Sequence, residues 1–357
     1  MMLLRSSPKL IALPAQLIEV NGGIVLRRGA LELSLSGDGI REAVELIFSL
    51  TQDGGLTTDE ICDKFSDEDR ETVEQLIGQL TRRRLLLPET GSDRRDGDET
   101  SEGVFYWQFG TSGAEVLDRL RTKRVGVAGV NRITYRLVAA LKESGFDDIP
   151  VFDHPELRNR WLFCDDGTLR MDRWTGKHGL PTAWTDDLDL SPLDCLIATS
   201  DFGSNATLLG LNERCLARAI PYLPVTLSNL TGYVGPLVLP SETPCLQCLY
   251  ARQDSNFTDP PIQRALEGAS SQGQEVIGFH PAMTAVLGDV AAFELTTFFS
   301  DAMPFRSGML TRINLLKGSM QKLRVLKVPR CPACSPLNNV PSISMTTINK
   351  SKDRFTE

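Results

Sequence analysis

The chain lacks an excess of positive charge and a long unbroken apolar run, and its opening residues have little of a signal peptide's pattern. Its 357 residues carry 38 Lys and Arg against 46 Asp and Glu, a formal net charge of -8. That balance argues against a nucleic-acid partner as the molecule's main business. The opening Met1-Met2-Leu3-Leu4-Arg5 runs into Ser7, Pro8 and Lys9 and then only a short apolar stretch. This is a poor signal peptide, and no uninterrupted apolar run suffices for a bilayer, so the expectation is a cytoplasmic chain with no membrane partner. Apolar content of 41% and charged content of 24% are those of ordinary globular proteins. The length suffices for two or three domains with sizeable cores.

Cysteine is unevenly spread. Cys62, Cys164, Cys195 and Cys215 stand alone and read as thiols of a reducing compartment. The other four form two pairs, Cys245-Leu246-Gln247-Cys248 and Cys331-Pro332-Ala333-Cys334, separated by 82 residues. Each pair lets one tight turn aim two thiols at one ion, and four thiolates match the ligand set of a structural zinc site. Iron in a tetrathiolate geometry is the chemical rival, and ordinary buried cysteines are the plainer reading. Four protein ligands leave no open position for a substrate, so such a site would hold structure.

The chain before the pairs divides at an acidic stretch. Residues 15 to 36 alternate in short steps, with Asn21-Gly22-Gly23 as a hairpin signal and Leu31-Glu32-Leu33-Ser34-Leu35-Ser36 as clean period-two alternation. Helical spacing follows at Ile40, Val44, Ile47 and Phe48. Thr57-Thr58-Asp59-Glu60 is a capping box, and a looser one at Ser66 to Asp69 opens a helix through Val73, Leu76, Ile77 and Leu80. Leu85-Leu86-Leu87 closes a winged-helix-like α+β module over residues 1–88. Its would-be recognition helix is acidic at Asp67, Glu68, Asp69, Glu71 and Glu74, which speaks against DNA. An extended peptide adding to the meander's edge is the favoured partner, with a plain packing or dimerisation module as the alternative. Residues 89–103 form an acidic linker, residues 104–349 a second domain and residues 350–357 a disordered tail. The aromatic run Phe105, Tyr106, Trp107 and Phe109 is expected to seat a helix against that second domain.

The second domain reads as Rossmann-like. Lys123 to Gly129 is a buried strand ending at glycine, Val130 to Ser144 a helix, and Ile149 to Asp153 the next strand, with an acidic residue at about the distance of a ribose partner. The glycine fingerprint is altered. Aligned on Gly129, Asn131 and Thr134 stand where the second and third glycines belong, and side chains there are expected to obstruct a phosphate and the helix–strand approach. Leu193 to Asp201 is another buried strand that delivers Asp201 at its carboxyl end, as a site residue or as the cap of the next helix. Tyr233 to Pro240 and Leu323 to Val328 read as further strands, Pro281 to Phe299 as a long apolar core helix, and Arg252 to Gln274 as a polar crossover.

This order of motifs resembles the E1-like (ThiF-like) fold, which adenylates a carboxylate: an altered Gly-rich turn, Asp153, Ala198-Thr199-Ser200-Asp201, then the two cysteine pairs. With the winged-helix-like front it resembles, more particularly, the E1-like partner proteins of the YcaO cyclodehydratases. Those enzymes form thiazolines and oxazolines on ribosomally made precursor peptides. The resemblance implies zinc on Cys245, Cys248, Cys331 and Cys334, with Asp201 on a magnesium side and Asp153 near a ribose. It also implies a non-catalytic scaffold that binds a precursor's leader peptide for a separate YcaO-type enzyme, with ATP not bound by this chain. A flavin-dependent azoline dehydrogenase is a further implied partner, and a homodimer is compatible. The leader groove is expected along Leu31, Leu33 and Leu35 and the helix face of Val73, Leu76 and Leu80. Arg28, Arg82 and Arg83 are expected to meet acidic leader residues. The Asn-Leu-Asn-Arg-Gln stretch of active members survives only loosely, as Glu156-Leu157-Arg158-Asn159-Arg160. Gly129, Asn131, Thr134, Asp153 and Asp201 together are thus expected to form a degenerate nucleotide site. Two other readings stand beside the scaffold: an E1-like adenylyltransferase acting on a peptide carboxylate, and a zinc-stabilised winged-helix regulator.

Overall fold

A computed structural model describes residues 8–52, 55–88, 100–174, 179–228, 230–255 and 278–336. The tail, most of the acidic linker and most of the expected crossover lie outside the described residues. Contacts divide the chain into one unit spanning Met1–Arg119 with Ser300–Pro304, and a second spanning Leu120–Phe299 with Phe305–Glu357.

In the first unit, β2 (Gln16–Val20), β3 (Gly23–Arg28) and β4 (Leu31–Ser36) form an antiparallel meander in the order β2-β3-β4, so β4 is an edge strand. Its first turn needs glycine at residue 23, where a Cβ would stand 2.1 Å from the Leu35 carbonyl oxygen. A second pair, β1 (Leu10–Ala12) with β5 (Leu86–Pro88), closes the unit. Between them lie α1 (Ile40–Gln52), α2 (Thr58–Cys62) and α3 (Arg70–Arg82). The capping box of Thr57 and Glu60 forms as expected. The looser one does not: Ser66 and Asp69 bond each other in a turn, and α3 starts one turn late, at Arg70. These elements make an N-terminal α+β module.

Phe105, Tyr106 and Trp107 lie in α4 (Ser101–Trp107) and Phe109 just beyond it, all part of this unit and not of the second domain with which the sequence groups them. The reason is Trp107. Its ring is buried in the module's core, its Nε1 donates to the Arg84 carbonyl at 3.1 Å, and the Arg28 guanidinium sits 5.0 Å from its centroid. Thr100 caps this helix, so the linker's last residues are already structured.

The second unit is built on an eight-stranded sheet among the described residues, ordered β13-β12-β11-β10-β9-β6-β7-β8. Strands β6 (Val125–Ala128), β7 (Val151–Asp153), β8 (Thr182–Ala183), β9 (Cys195–Ser200) and β10 (Tyr222–Ser228) are mutually parallel. Strands β11 (Thr231–Val234), β12 (Met309–Asn314) and β13 (Ser319–Arg324) extend the sheet antiparallel. This is an α/β, Rossmann-like core. From β6 the chain passes to β7 on one side and later to β9 on the other. The crevice between the carboxyl ends of β6 and β9 is therefore the topological switch point, where open α/β sheets place ligands.

Two strand expectations move. The expected strand to Pro240 is only β11, and the expected strand at Leu323 to Val328 is replaced by the hairpin β12–β13, which ends at Arg324. Helices α5 (Gly113–Arg121), α6 (Arg132–Glu143), α7 (Asn205–Ala217), α8 (Leu246–Asp254) and α9 (Pro281–Ser300) are the further α-helices among the described residues. Helix α9 has the length and mean hydropathy of a membrane span, yet half of it is buried within the protein. It packs by close approach: a Cβ on Gly232 would sit 2.3 Å from Leu287, and one on Gly288 2.8 Å from the Leu137 nitrogen. That is the behaviour of a core helix.

Candidate functional site

Three places in the chain concentrate chemistry. The first is the cysteine cluster. Cys245 caps α8, Cys248 lies in its first turn, and Cys331 and Cys334 follow the last strand on a turn closed by Cys331 N–H to the Val328 carbonyl. All four Sγ atoms lie within 4.8 Å of one another, with neighbouring pairs at 3.8, 3.6 and 3.5 Å. A disulfide needs about 2.05 Å, whereas thiolates about 2.3 Å from one tetrahedral ion lie roughly 3.8 Å apart. Burial pushes the Cys334 thiol up to about 11 and Cys245 higher still. Against burial, backbone hydrogen bonds from Val328 and Cys245 hold Cys248 below the ordinary thiol value, and a metal ion would hold the set as thiolates. The donor set fits one soft-ligand metal ion.

The second place is the switch-point crevice. Gly129 closes β6 with φ +114, and a Cβ there would stand 2.7 Å from the Thr199 carbonyl of β9. Asn131 is fully buried and caps α6, its Oδ1 accepting from the backbone of Ile133 and Thr134 at 3.1 Å each. Its Nδ2 donates to the carbonyls of Leu157 and Thr199 and to Thr199 Oγ1. Thr134, also buried, donates to the Gly129 carbonyl at 2.7 Å. Both side chains point into the protein, so the expectation that they obstruct the crevice is corrected: they staple β6, α6 and β9 together.

Asp201 belongs to the same network. It caps α6 and not the helix that follows it, because Arg132 N–H donates to its Oδ2 at 3.0 Å, beside Asn159 Nδ2 at 2.8 Å. Its other oxygen, Oδ1, is buried without a hydrogen-bond partner among the described residues. Burial, opposed by the Asn159 and Arg132 hydrogen bonds, raises its carboxyl above the usual aspartate value. An orphaned, buried carboxylate oxygen is a hard donor of the kind a magnesium ion takes. Asp201 Oδ1 is therefore a candidate ligand atom for a divalent cation. Asp153 ends β7 and is held in a bidentate pair by Arg158 at 2.7 and 2.8 Å.

Asn159 was missed as a site residue, although it sits in the Glu156 to Arg160 stretch that departs from the family pattern. Cys195 and Cys215 are not nucleophiles in waiting: both are buried, and burial drives Cys215 up to about 12.

The third place is in the first unit. Leu33 of β4 and Gln79, Arg82 and Arg83 at the end of α3 line a cavity of about 310 Å³. Leu31 and Leu33 are half-buried, but Leu35, Val73, Leu76 and Leu80 are buried in the module's own core and offer nothing to a ligand. Arg28 is likewise a structural residue: it is 5% exposed, donates to the Pro14 carbonyl at 2.5 Å and stacks on Trp107. Both sets were expected in a groove, and the competing demand of the core claims them.

With this geometry in view, the comparisons place the fold. The ThiF family model matches residues 180–333. E. coli MccB with MccA-N7isoASN shares 15% identity, 91% of this chain and 99% of its own, with a TM-score of 0.64. The same protein with AMPCPP and MccA matches equally well, at 15% identity, 91% and 99% coverage and a TM-score of 0.63. The heterocyclase TruD shares 17% identity over 92% of this chain and 43% of its own, with a TM-score of 0.61. The chain thus spans less than half the length of the heterocyclases it matches. No curated protein matches the sequence.

These findings correct the scaffold reading. The fold shared almost end to end is that of a biosynthetic enzyme solved in complex with N-formylated MccA, and with AMPCPP and MccA together. A non-catalytic leader-binding chain that leaves ATP to others therefore does not stand. Neither a YcaO-type partner nor a flavin-dependent dehydrogenase finds support. The physical error was to read Asn131 and Thr134 as obstructions when they face inward.

Proposed function

We propose that this chain is an E1-like adenylyltransferase that activates a peptide carboxylate with ATP. The observation that carries the reading is Asp201 Oδ1, buried and unpartnered at the carboxyl end of β9. A divalent cation bound there would supply charge screening for a polyphosphate. Asp201 would hold that ion with Oδ1 while Asn159 and the Arg132 N–H fix Oδ2. Asp153 would meet the ribose from the next strand, its carboxylate held in place by Arg158. The chemical step joins a carboxylate oxygen of the peptide to the α-phosphorus of ATP and releases pyrophosphate. The residues act by holding the reactants in line and in a dry crevice.

The winged-helix-like module would present the peptide, added as a strand beside β4, with one side chain in the cavity of Leu33, Gln79, Arg82 and Arg83. Leu31 would pack against it. The two arginines suit an acidic side chain. Zinc on Cys245, Cys248, Cys331 and Cys334 would tie α8 to the segment after the last strand, and the free thiols suit the cytoplasm. Calorimetry with MgATP tests the reading. Micromolar binding that falls at least tenfold in Asp201→Ala supports it, and no binding by the native protein overturns it.

A further inference from the structure

The crevice has used up the backbone donors that usually receive phosphate. A helix N-terminus binds anions through its first free N–H groups. In α6 those of Ile133 and Thr134 go to the Asn131 side chain and that of Arg132 goes to Asp201. A polyphosphate in this crevice must therefore be met by side chains.

One side chain is built for it. The Arg132 guanidinium carbon lies 3.9 Å from the Trp161 ring centroid, and that of Arg173 lies 4.5 Å from the same ring. The ring is held from both ends of its own residue: Trp161 N–H donates to Asn159 Oδ1 at 2.9 Å, and Arg173 Nη1 donates to the Trp161 carbonyl at 2.5 Å. Asn159 in turn holds Asp201. Arg132, Trp161, Asn159 and Asp201 thus close a circuit around the carboxylate with the orphaned oxygen. Stacking occupies the face of the Arg132 guanidinium and leaves its N–H edge, the part that recognises phosphate. Among the described residues Arg132 forms no ion pair, whereas Arg173 spends one donor on Trp161 and Arg158 is held by Asp153.

We propose that Arg132 is the polyphosphate-binding cation of this site and that Trp161 is the platform orienting its guanidinium. The inference rests on the adenylyltransferase reading and assigns the triphosphate to a residue inside the altered glycine turn. Arg132 takes over what the backbone amides of α6 no longer offer. Trp161 is a positioning residue and touches no phosphate.

The test titrates the full-length protein with MgATP and, separately, with inorganic tripolyphosphate, in native form and as Arg132→Ala, Arg132→Lys and Trp161→Phe. Melting curves of each variant check the fold. Loss of a charge-assisted bidentate contact predicts roughly 10- to 100-fold weaker binding of both probes by Arg132→Ala. It also predicts a shallower dependence of affinity on salt, which a merely structural role would not produce. Arg132→Lys should recover only part of the affinity, since lysine keeps the charge and loses the fork. Trp161→Phe should fall between native and Arg132→Ala. Native-like affinity and salt dependence in a folded Arg132→Ala protein would overturn this inference alone. Failure of the native protein to bind MgATP would remove the adenylyltransferase reading and this inference together.

Discussion

The cysteine cluster and the β6–α6 turn are both buried polar sites of the second unit, and they solve the same problem in opposite ways. The four thiols sit within 4.8 Å of one another, three of the pairs at 3.5 to 3.8 Å, and the Val328 N–H donates to Cys248 Sγ at 3.4 Å. A bound metal ion would hold them as thiolates. The turn instead satisfies itself: the Asn131 side chain takes part in six hydrogen bonds, and one between Thr134 and Thr199 completes the set. Only Asp201 Oδ1 is left over. A site that depends on an ion keeps its ligand spacing visible in sequence. A site that has closed on itself looks like a damaged motif, and the one atom it leaves open is the informative one.

The comparison breaks most visibly at the metal. One zinc per chain is expected by metal analysis, and chelation should unfold the second unit, because structural zinc contributes on the order of 10 kcal/mol. Cys331→Ser should be as damaging as Cys245→Ser. A metal-free protein with an unchanged melting curve would show that the thiols, too, satisfy themselves. Asn131→Ala is expected to cost roughly 2–4 kcal/mol by denaturant unfolding, since it removes a helix cap and strands two buried carbonyls. Asn131→Gly should cost nearly as much if the staple matters more than the space; a gain of nucleotide affinity there would restore the obstruction reading.

Arg28→Ala is expected to destabilise the first unit by about 1–2 kcal/mol through the lost Trp107 stack and the Pro14 hydrogen bond, with peptide affinity unchanged. Asp201 provides a pH test. Burial raises its folded value above 3.8, so the folded state binds the proton more tightly than the unfolded chain. Stability of the native protein relative to Asp201→Asn should therefore fall as pH rises from 3.8 to that folded value, and stay level above it. A flat difference across that range would mean the carboxylate is already paired. The smallest effect is expected at the exposed arginines of the cavity. Arg83→Ala should weaken binding of a peptide substrate by about 1 kcal/mol or less, and no change at all would remove the cavity from the peptide's path.

Much of this was legible in the chain itself. The meander announced itself through alternation and the Asn21-Gly22 turn, the helix at Thr57 through its capping box, and the sheet through apolar runs ending at Gly129 and Asp201. Local patterns suffice where one element's period or one turn's chemistry decides the outcome. Leu35, Val73, Leu76 and Leu80 were less readable, because an apolar face serves a core and a groove equally well until its neighbours are known. The hairpin of Met309 to Arg324 was hidden for a related reason: its outer strand is mostly exposed and carries little apolar signal.

What the sequence determined by itself was the pair of cysteine turns, the Rossmann-like order of elements and the positions at which glycine gave way to Asn131 and Thr134. Whether those side chains face a ligand or the protein was decided only in three dimensions. The direction of Asn131 depends on Thr199, 68 residues further along the chain, whose carbonyl and hydroxyl give its amide a partner. The stack of Arg132 on Trp161 and the orphaned oxygen of Asp201 likewise exist only because distant segments meet at the switch point, where no local pattern reaches.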